Sequence, residues 1–244
     1  MQIVIDGLLT HYQIVGNKRS VLIILPGWMR TTAEWLPVAK KLSIEYTVIL
    51  LDLPGFGKTQ KPETTYSIYD YADFVEHFLN KLEVKPVTLL GHSFGGRIGI
   101  IISAKMKLVT ELLLIDAAGV EKRTIIAKMK IQFFKLAKIF LPKQVVTQLR
   151  NKLGSRDYKT AGEMRDIFIK VINEDLSYLL SKISVPTLLI WGNNDGEVPE
   201  WKIKLMKKLI SNAKLRVVWG AAHSPHLEKP TEFMEILYDY LKRK

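Results

Sequence analysis

Read from the N-terminus, the chain opens with two β-rich runs, QIVID (2–6) and LLTHYQIV (8–15), separated by Gly7, a pattern that predicts a hairpin. Beyond it, short unbroken apolar runs alternate with stretches of helical period. VLIIL (21–25) is followed by a helix near 32–43, YTVILL (46–51) by a helix near 67–82, and PVTLLG (86–91) by a helix near 95–106. VTELLLID (109–116) closes this block. The alternation resumes with PTLLIWG (186–192), a helix near 200–210, KLRVVWG (214–220) and a closing helix near 230–242. Strands that are apolar on both sides must be covered on both faces. The pattern therefore predicts an α/β fold, a mostly parallel eight-stranded sheet with helices on each side.

Between the two blocks, residues 118–182 contain no convincing strand and read as mostly helical. The expectation is a core formed by 1–117 and 183–244 with a helical cap, 118–182, inserted over the sheet. Within the cap, Ile125, Met129, Phe133, Leu136 and Phe140 recur at helical spacing, with Lys128, Lys135 and Lys138 on the opposite side. Met129, Phe133, Leu136 and Phe140 are candidates for the roof of a substrate pocket. The alternative is a basic amphipathic helix that meets an anionic surface, either a lipid interface or an acidic carrier protein.

One apolar run ends abnormally. In LLGHSFGG (89–96) a strand stops at a serine set between glycines, and a helical pattern follows at once. Strand, sharp turn and helix form the context in which G-x-S-x-G acts as a nucleophile elbow, presenting the Ser93 hydroxyl at the carboxyl end of the strand. Gly91 and Gly95 lack the Cβ atoms that would collide as strand and helix close on each other. A phosphate-binding loop is the competing reading, but the glycines do not fit G-x-G-x-x-G and no Lys-Ser/Thr pair follows.

A serine needs a base, and the base an orienting acid, in the chain order Ser, Asp/Glu, His for this kind of sheet. After PTLLIWG comes NNDGEVP with Asp195, and after KLRVVWG comes AAHSPHLEKP with His223. Each has a competitor. Asp195 among Asn193, Asn194 and Gly196 also suits ordinary turn chemistry, and Asp116 ends a strand as well. His226 lies close to His223, and His92 beside the serine reads as packing. The loop after the third strand, LPGWMRTTAEW, is the expected source of a second oxyanion donor, with Gly27 allowing close approach and the Trp28 N–H pointing in beside that of Phe94.

Composition narrows the field. With 244 residues and 48% hydrophobic content the chain can bury one full α/β core. It has no cysteine, which removes disulfides, thiolate metal sites and a cysteine nucleophile. The N-terminus has no basic leader-like start, and no apolar run approaches the ~18 residues of a membrane-spanning helix, so a soluble cytoplasmic protein, monomer or dimer, is expected. A net charge of +12 would suit nucleic acid, but no binding motif accompanies it. Fourteen Lys/Arg against six Asp/Glu fall between 117 and 182, so the excess is concentrated in the inserted segment.

Taken together, PGW with a downstream EW, DLPGFGKT, GHSFGG, WGNNDGEVP and AAHSPHLEKPTEF resemble the α/β-hydrolase fold family, in its capped esterase and lipase-like branch, over nearly the whole chain. The resemblance implies Ser93 as nucleophile, Asp195 as acid, His223 as base, and the N–H groups of Trp28 and Phe94 as oxyanion hole. DGEVP and AAHSPHLEKP are also similar to the pimeloyl-acyl-carrier-protein methyl ester esterases. One departure is Pro26-Gly27, where family members commonly have His-Gly.

The expected activity is hydrolysis of a small-molecule carboxylic ester with an apolar acyl group, through an acyl-enzyme and without metal or organic cofactor. Lactone or C–C bond hydrolysis and acyl transfer use the same groups, and a ligand-binding member with little turnover is a further alternative.

Overall fold

The computed structural model describes residues 1–84, 87–121 and 161–242. Eight strands form one sheet: β1 (Gln2–Ile5), β2 (Leu8–Val15), β3 (Val21–Leu25), β4 (Thr47–Leu51), β5 (Val87–His92), β6 (Val109–Ile115), β7 (Thr187–Gly192) and β8 (Ala213–Val218). Their spatial order is β1-β2-β4-β3-β5-β6-β7-β8. The opening hairpin pairs antiparallel and β2 joins β4 antiparallel, while every pair from β4 through β8 is parallel.

The described helices are α1 (Thr32–Leu42), α2 (Ile68–Lys81), α3 (Phe94–Lys105), α4 (Arg165–Ile172), α5 (Ser177–Leu180), α6 (Glu200–Leu209), α7 (Pro225–Glu228) and α8 (Pro230–Leu241). Helix α2 begins where a local signal says it should: Ser67 and Asp70 form a reciprocal capping box. The short α7 was not foreseen, because its four residues are too few to show a period.

Alternate residues of the central strands serve two cores. Leu22, Ile24, Leu90, Leu113, Ile115, Leu188 and Ile190 meet Trp35 and Leu42 of α1 and Phe233 and Leu237 of α8. Ile23, Leu25, Leu89, Leu112, Leu114 and Leu189 meet α2, α3 and α6 on the other face. This explains why these strands read as unbroken apolar runs. Each fully buried Leu, Ile or Phe contributes about 1.5–3 kcal/mol, which holds the strand ends in fixed register.

The insertion leaves and re-enters the core at a tied neck. Leu176 N donates to Gly119 O at 2.8 Å, and Glu121 N donates to Asp175 Oδ1 at 3.0 Å. From α3, Arg97 donates to Glu174 O at 2.7 Å and Ile172 O at 3.3 Å. Within 161–182 the chain forms a short 3₁₀ turn, Gly162–Met164, followed by α4 and α5 with irregular chain between them. The stripe Ile125, Met129, Phe133, Leu136 and Phe140, with Lys128, Lys135 and Lys138, lies outside the described residues.

Candidate active site

The turn after β5 is as sharp as its glycines require. Ser93 sits at φ 48° and ψ −107°, a conformation costing about 1–3 kcal/mol in a non-glycine residue. A Cβ on Gly95 would stand 2.1 Å from the carbonyl oxygen of Leu25, so no other residue fits there without moving β3. The strain is held by the main chain: Ser93 N donates to Ile115 O at 3.0 Å, and Gly95 N to Pro26 O at 3.1 Å.

At this elbow a hydroxyl, an imidazole and a carboxylate stand in line. Ser93 Oγ is 2.9 Å from His223 Nε2, and His223 Nδ1 is 2.8 Å from Asp195 Oδ2. A carboxylate only accepts, so Nδ1 carries the proton and donates, leaving Nε2 of a neutral ring to accept from the serine hydroxyl. Asp195 Oδ1 accepts from Glu197 N at 2.7 Å and Val198 N at 3.0 Å. Burial pushes the Asp195 carboxyl up, but the His223 hydrogen bond and charge and these two amides outweigh it, and the net shift is below the usual carboxylate range. The competition for the acid is resolved spatially, because it is Asp195 that reaches the ring. Glu197 Oε2 lies 3.4 Å from Nε2 on the solvent side.

Asp116 is nevertheless adjacent. It follows β6 at φ 41°, is fully buried, and its Oδ1 accepts from Gly192 N at 2.9 Å. Burial pushes its carboxyl up to about 9 despite the Gly192 N–H, the charge of Asp195 acting in the same direction, and its Oδ2 has no hydrogen-bond partner among the described residues.

The other histidines have separate places. His226 stacks on Trp35 with ring centroids 3.9 Å apart, its Nε2 3.0 Å from Glu34 Oε1, which removes it from the serine. Burial lowers its pKa against the opposing pull of Glu34. His92 does more than pack. Its Nε2 is 2.8 Å from the carbonyl oxygen of His223, and a carbonyl only accepts, so His92 donates and anchors the base loop to β5. Burial, then the neighbouring His226 and His223, lowers its pKa well below the usual range and keeps it neutral.

The Pro26-Gly27-Trp28 loop is held by aromatic packing, with Gly27 lying against the His92 ring. Trp28 is buried edge-on against Phe56 and Phe94, at 4.9 and 5.2 Å between centroids, and it also contacts Phe168. Asp52, from DLPGFGKT, accepts from Thr32 N at 2.7 Å and Lys58 N at 3.1 Å, joining the loop after β4 to the start of α1. Phe94 is the first residue of α3, so no carbonyl one turn earlier takes its N–H.

Ser93 and His223 open onto a cleft of about 380 Å³. Trp28, Phe94, Phe168, Ile172 and Val198 give it an apolar wall, and Arg97, Glu121 and Lys202 a charged end. Glu121 Oε1 receives Lys202 Nζ at 2.8 Å and Arg97 Nη2 at 3.2 Å. Sequence reasoning missed this cluster, although an arginine inside the apolar GGRIGIII was a signal. Among the described residues no group of three His, Asp or Glu could hold a metal ion, and no helix is long and apolar enough to cross a membrane.

A serine activated in this way at the end of a central strand defines a serine hydrolase. The pattern described as the alpha/beta hydrolase fold matches residues 20–136. The uncharacterized hydrolase YugF of Bacillus subtilis (strain 168) is 29% identical over 98% of this chain and 96% of its own length. The monoacylglycerol lipase ABHD6 of Mus musculus is 25% identical over 93% of this chain and 76% of its own. A crystal structure of a membrane phospholipase A, described as a bacterial virulence factor, superposes with a TM-score of 0.79 at 26% identity, covering 100% of this chain and 86% of that one. The chain has the α/β-hydrolase fold and is similar to esterases, lipases and other hydrolases of that fold.

Proposed function

We propose that the protein hydrolyses carboxylic esters with an apolar acyl group through an acyl-enzyme on Ser93. The observation that carries this reading is the continuous hydrogen-bond chain from Ser93 through His223 to Asp195, opening onto a cleft with an apolar wall. His223 Nε2 takes the Ser93 proton as Oγ attacks the ester carbonyl. The N–H groups of Phe94 and Trp28 receive the developing oxyanion, and the charge on Asp195 supports the imidazolium. His223 then gives its proton to the departing alcohol. Water, deprotonated by the same ring, attacks the acyl-enzyme, and the proton returns to Ser93 Oγ as the carboxylic acid leaves.

Residues 118–182 act in this reading as a cap over the cleft, supported by the position of Phe168 and Ile172 in its wall. The printed activities of two relatives, monoacylglycerol lipase and phospholipase A, favour a lipid-like acyl ester. The basic excess of the segment suits delivery from an anionic interface or an acidic carrier.

The test is a panel of p-nitrophenyl esters and lactones of increasing chain length, run beside Ser93→Ala. Ester turnover that rises with acyl length and vanishes in the alanine variant is expected. Lactone turnover with inert esters would overturn the substrate assignment.

A further inference from the structure

We infer that the charged end of the cleft, Glu121 and Lys202 braced by Arg97, is a subsite for a hydroxyl group carried by the alcohol part of the substrate, so that monoesters of diols and polyols are favoured over esters of plain alcohols. The inference rests on the reading of Ser93 as the nucleophile of an ester hydrolase, and it specifies what the leaving group carries.

Three elements meet at this end of the cleft, and two of them run from the catalytic groups. Arg97 lies one turn into α3, its N–H donating to Ser93 O at 3.4 Å. Lys202 lies in the first turn of α6, which follows the loop that carries Asp195, and its N–H donates to Pro199 O at 2.9 Å. Glu121 belongs to the neck, where its N–H is tied to Asp175 Oδ1. The same helices that place the triad therefore fix the subsite relative to Ser93. An ester attacked by Ser93 has two arms. The apolar wall suits the acyl arm, which leaves the charged end to the alcohol. A bare alkyl arm there would strip water from a carboxylate and an ammonium without replacing its hydrogen bonds.

The bonding pattern selects a hydroxyl over an ion. The Arg97 side chain is 3% exposed, and it donates to Glu174 O, Ile172 O and Glu121 Oε1, so it acts as a brace. Lys202 Nζ donates to Glu121 Oε1 at 2.8 Å and has further N–H donors to give. Both cations converge on Oε1, and Oε2 of Glu121 takes no hydrogen bond among the described residues. A hydroxyl is donor and acceptor at once: it gives its proton to Oε2 and accepts from Nζ, displacing neither group. An anion would meet Glu121 and Glu197 in the lining, and the charge of Arg97 is already opposed by Glu121, Asp175 and Glu174. A cation would meet Lys202 and Arg97.

The experiment compares the hexanoate monoesters of ethylene glycol and propane-1,3-diol with the hexanoates of propanol and butanol, in which a methyl group stands in place of the hydroxyl. In wild type, kcat/KM for the better diol ester should exceed that of its alkyl counterpart by about tenfold, as expected for hydrogen bonds to charged groups. The ratio should fall toward one in Lys202→Met, which keeps the stem and loses the donors. Glu121→Gln should lower the ratio too and raise turnover of the hexanoate of glycolic acid relative to the diol esters. A wild-type ratio of one or less, or a ratio that Lys202→Met leaves unchanged, overturns the inference, as does preference for the glycolate or choline ester over both diol esters. If Glu121→Gln does not fold, Lys202→Met decides alone. Alkyl esters cleaved as fast as diol esters would refute the subsite and leave the ester hydrolase standing. Titration calorimetry of the same pairs on Ser93→Ala covers the converse: if wild type cleaves no ester, tighter binding of the diol ester sustains the subsite and sinks only the chemistry, and equal or absent binding refutes the subsite.

Discussion

Replacing Asp116 by Asn should stabilise the fold by an amount that grows with pH. In the unfolded chain the carboxyl titrates at its ordinary value of 3.8, whereas in the folded chain it is held up to about 9. Between those values the folded protein carries one proton that the unfolded chain has lost. The sign follows directly: stability from this group is fully present below pH 3.8 and is lost as pH rises to about 9. The slope is about −1.4 kcal/mol per pH unit, or roughly 7 kcal/mol over the whole span and about 4 kcal/mol by pH 7. Asn has nearly the same shape and does not titrate, so it escapes this penalty. Urea denaturation of both proteins at half-unit steps from pH 5 to 8 measures the difference. A worse fit of the amide would offset the whole curve without changing its slope. A difference in unfolding free energy that stays flat across that range would show that Asp116 is ionised in the folded protein, and the reasoning would fail.

Ser93→Ala should lower ester turnover on the order of 10⁶-fold with the thermal midpoint preserved, read by kinetics beside circular dichroism; wild-type turnover in this variant would end the covalent mechanism. Asp195→Asn should cost on the order of 10⁴ in kcat, far more than Asp116→Asn, and the reverse ranking would move the acid to the end of β6. His92→Phe removes the donor to the His223 carbonyl and should reduce kcat about fivefold at nearly constant KM, consistent with about 1 kcal/mol for one lost hydrogen bond; an unaltered kcat would reduce His92 to packing. Rates on a charged, interface-bound ester should fall steeply as salt shortens the Debye length from about 10 Å at 0.1 M to 3 Å at 1 M, while a small neutral ester hardly responds. Equal responses would leave the basic segment as a solubilising surface.

The sheet could be read from the sequence because its strands are covered on both faces and carry no polar interruption, as in VLIIL and TLLIWG. The elbow could be read because Gly91, Ser93 and Gly95 must sit in fixed order for the turn to close. Asp195 and His223 followed from chain order and strand ends, but the choice between Asp195 and Asp116 needed coordinates, since both occupy equivalent positions after neighbouring strands. His92 and Arg97 were undervalued for one reason: each is a polar residue in an apolar run whose partner lies far along the chain, at the His223 and Glu174 carbonyls. Periodicity carries no information about such pairings. Pro26 was a departure from the expected pattern, and only the packing of Trp28 revealed what steadies its loop.

The neck where Gly119 and Glu121 are bonded to Leu176 and Asp175 has an evolutionary consequence. Its two sides are fastened to each other and, through Arg97, to the helix that begins at the nucleophile. Whatever runs between those sides is a loop whose ends the core has already brought together. Doubling the length of such a loop costs only about 0.6 kcal/mol of closure entropy. Insertions, deletions or wholesale exchange there can remodel what is admitted to the cleft while Ser93, His223 and Asp195 keep their places. The fold separates a part free to diversify from a part that must stay still, and the boundary between them is a handful of hydrogen bonds.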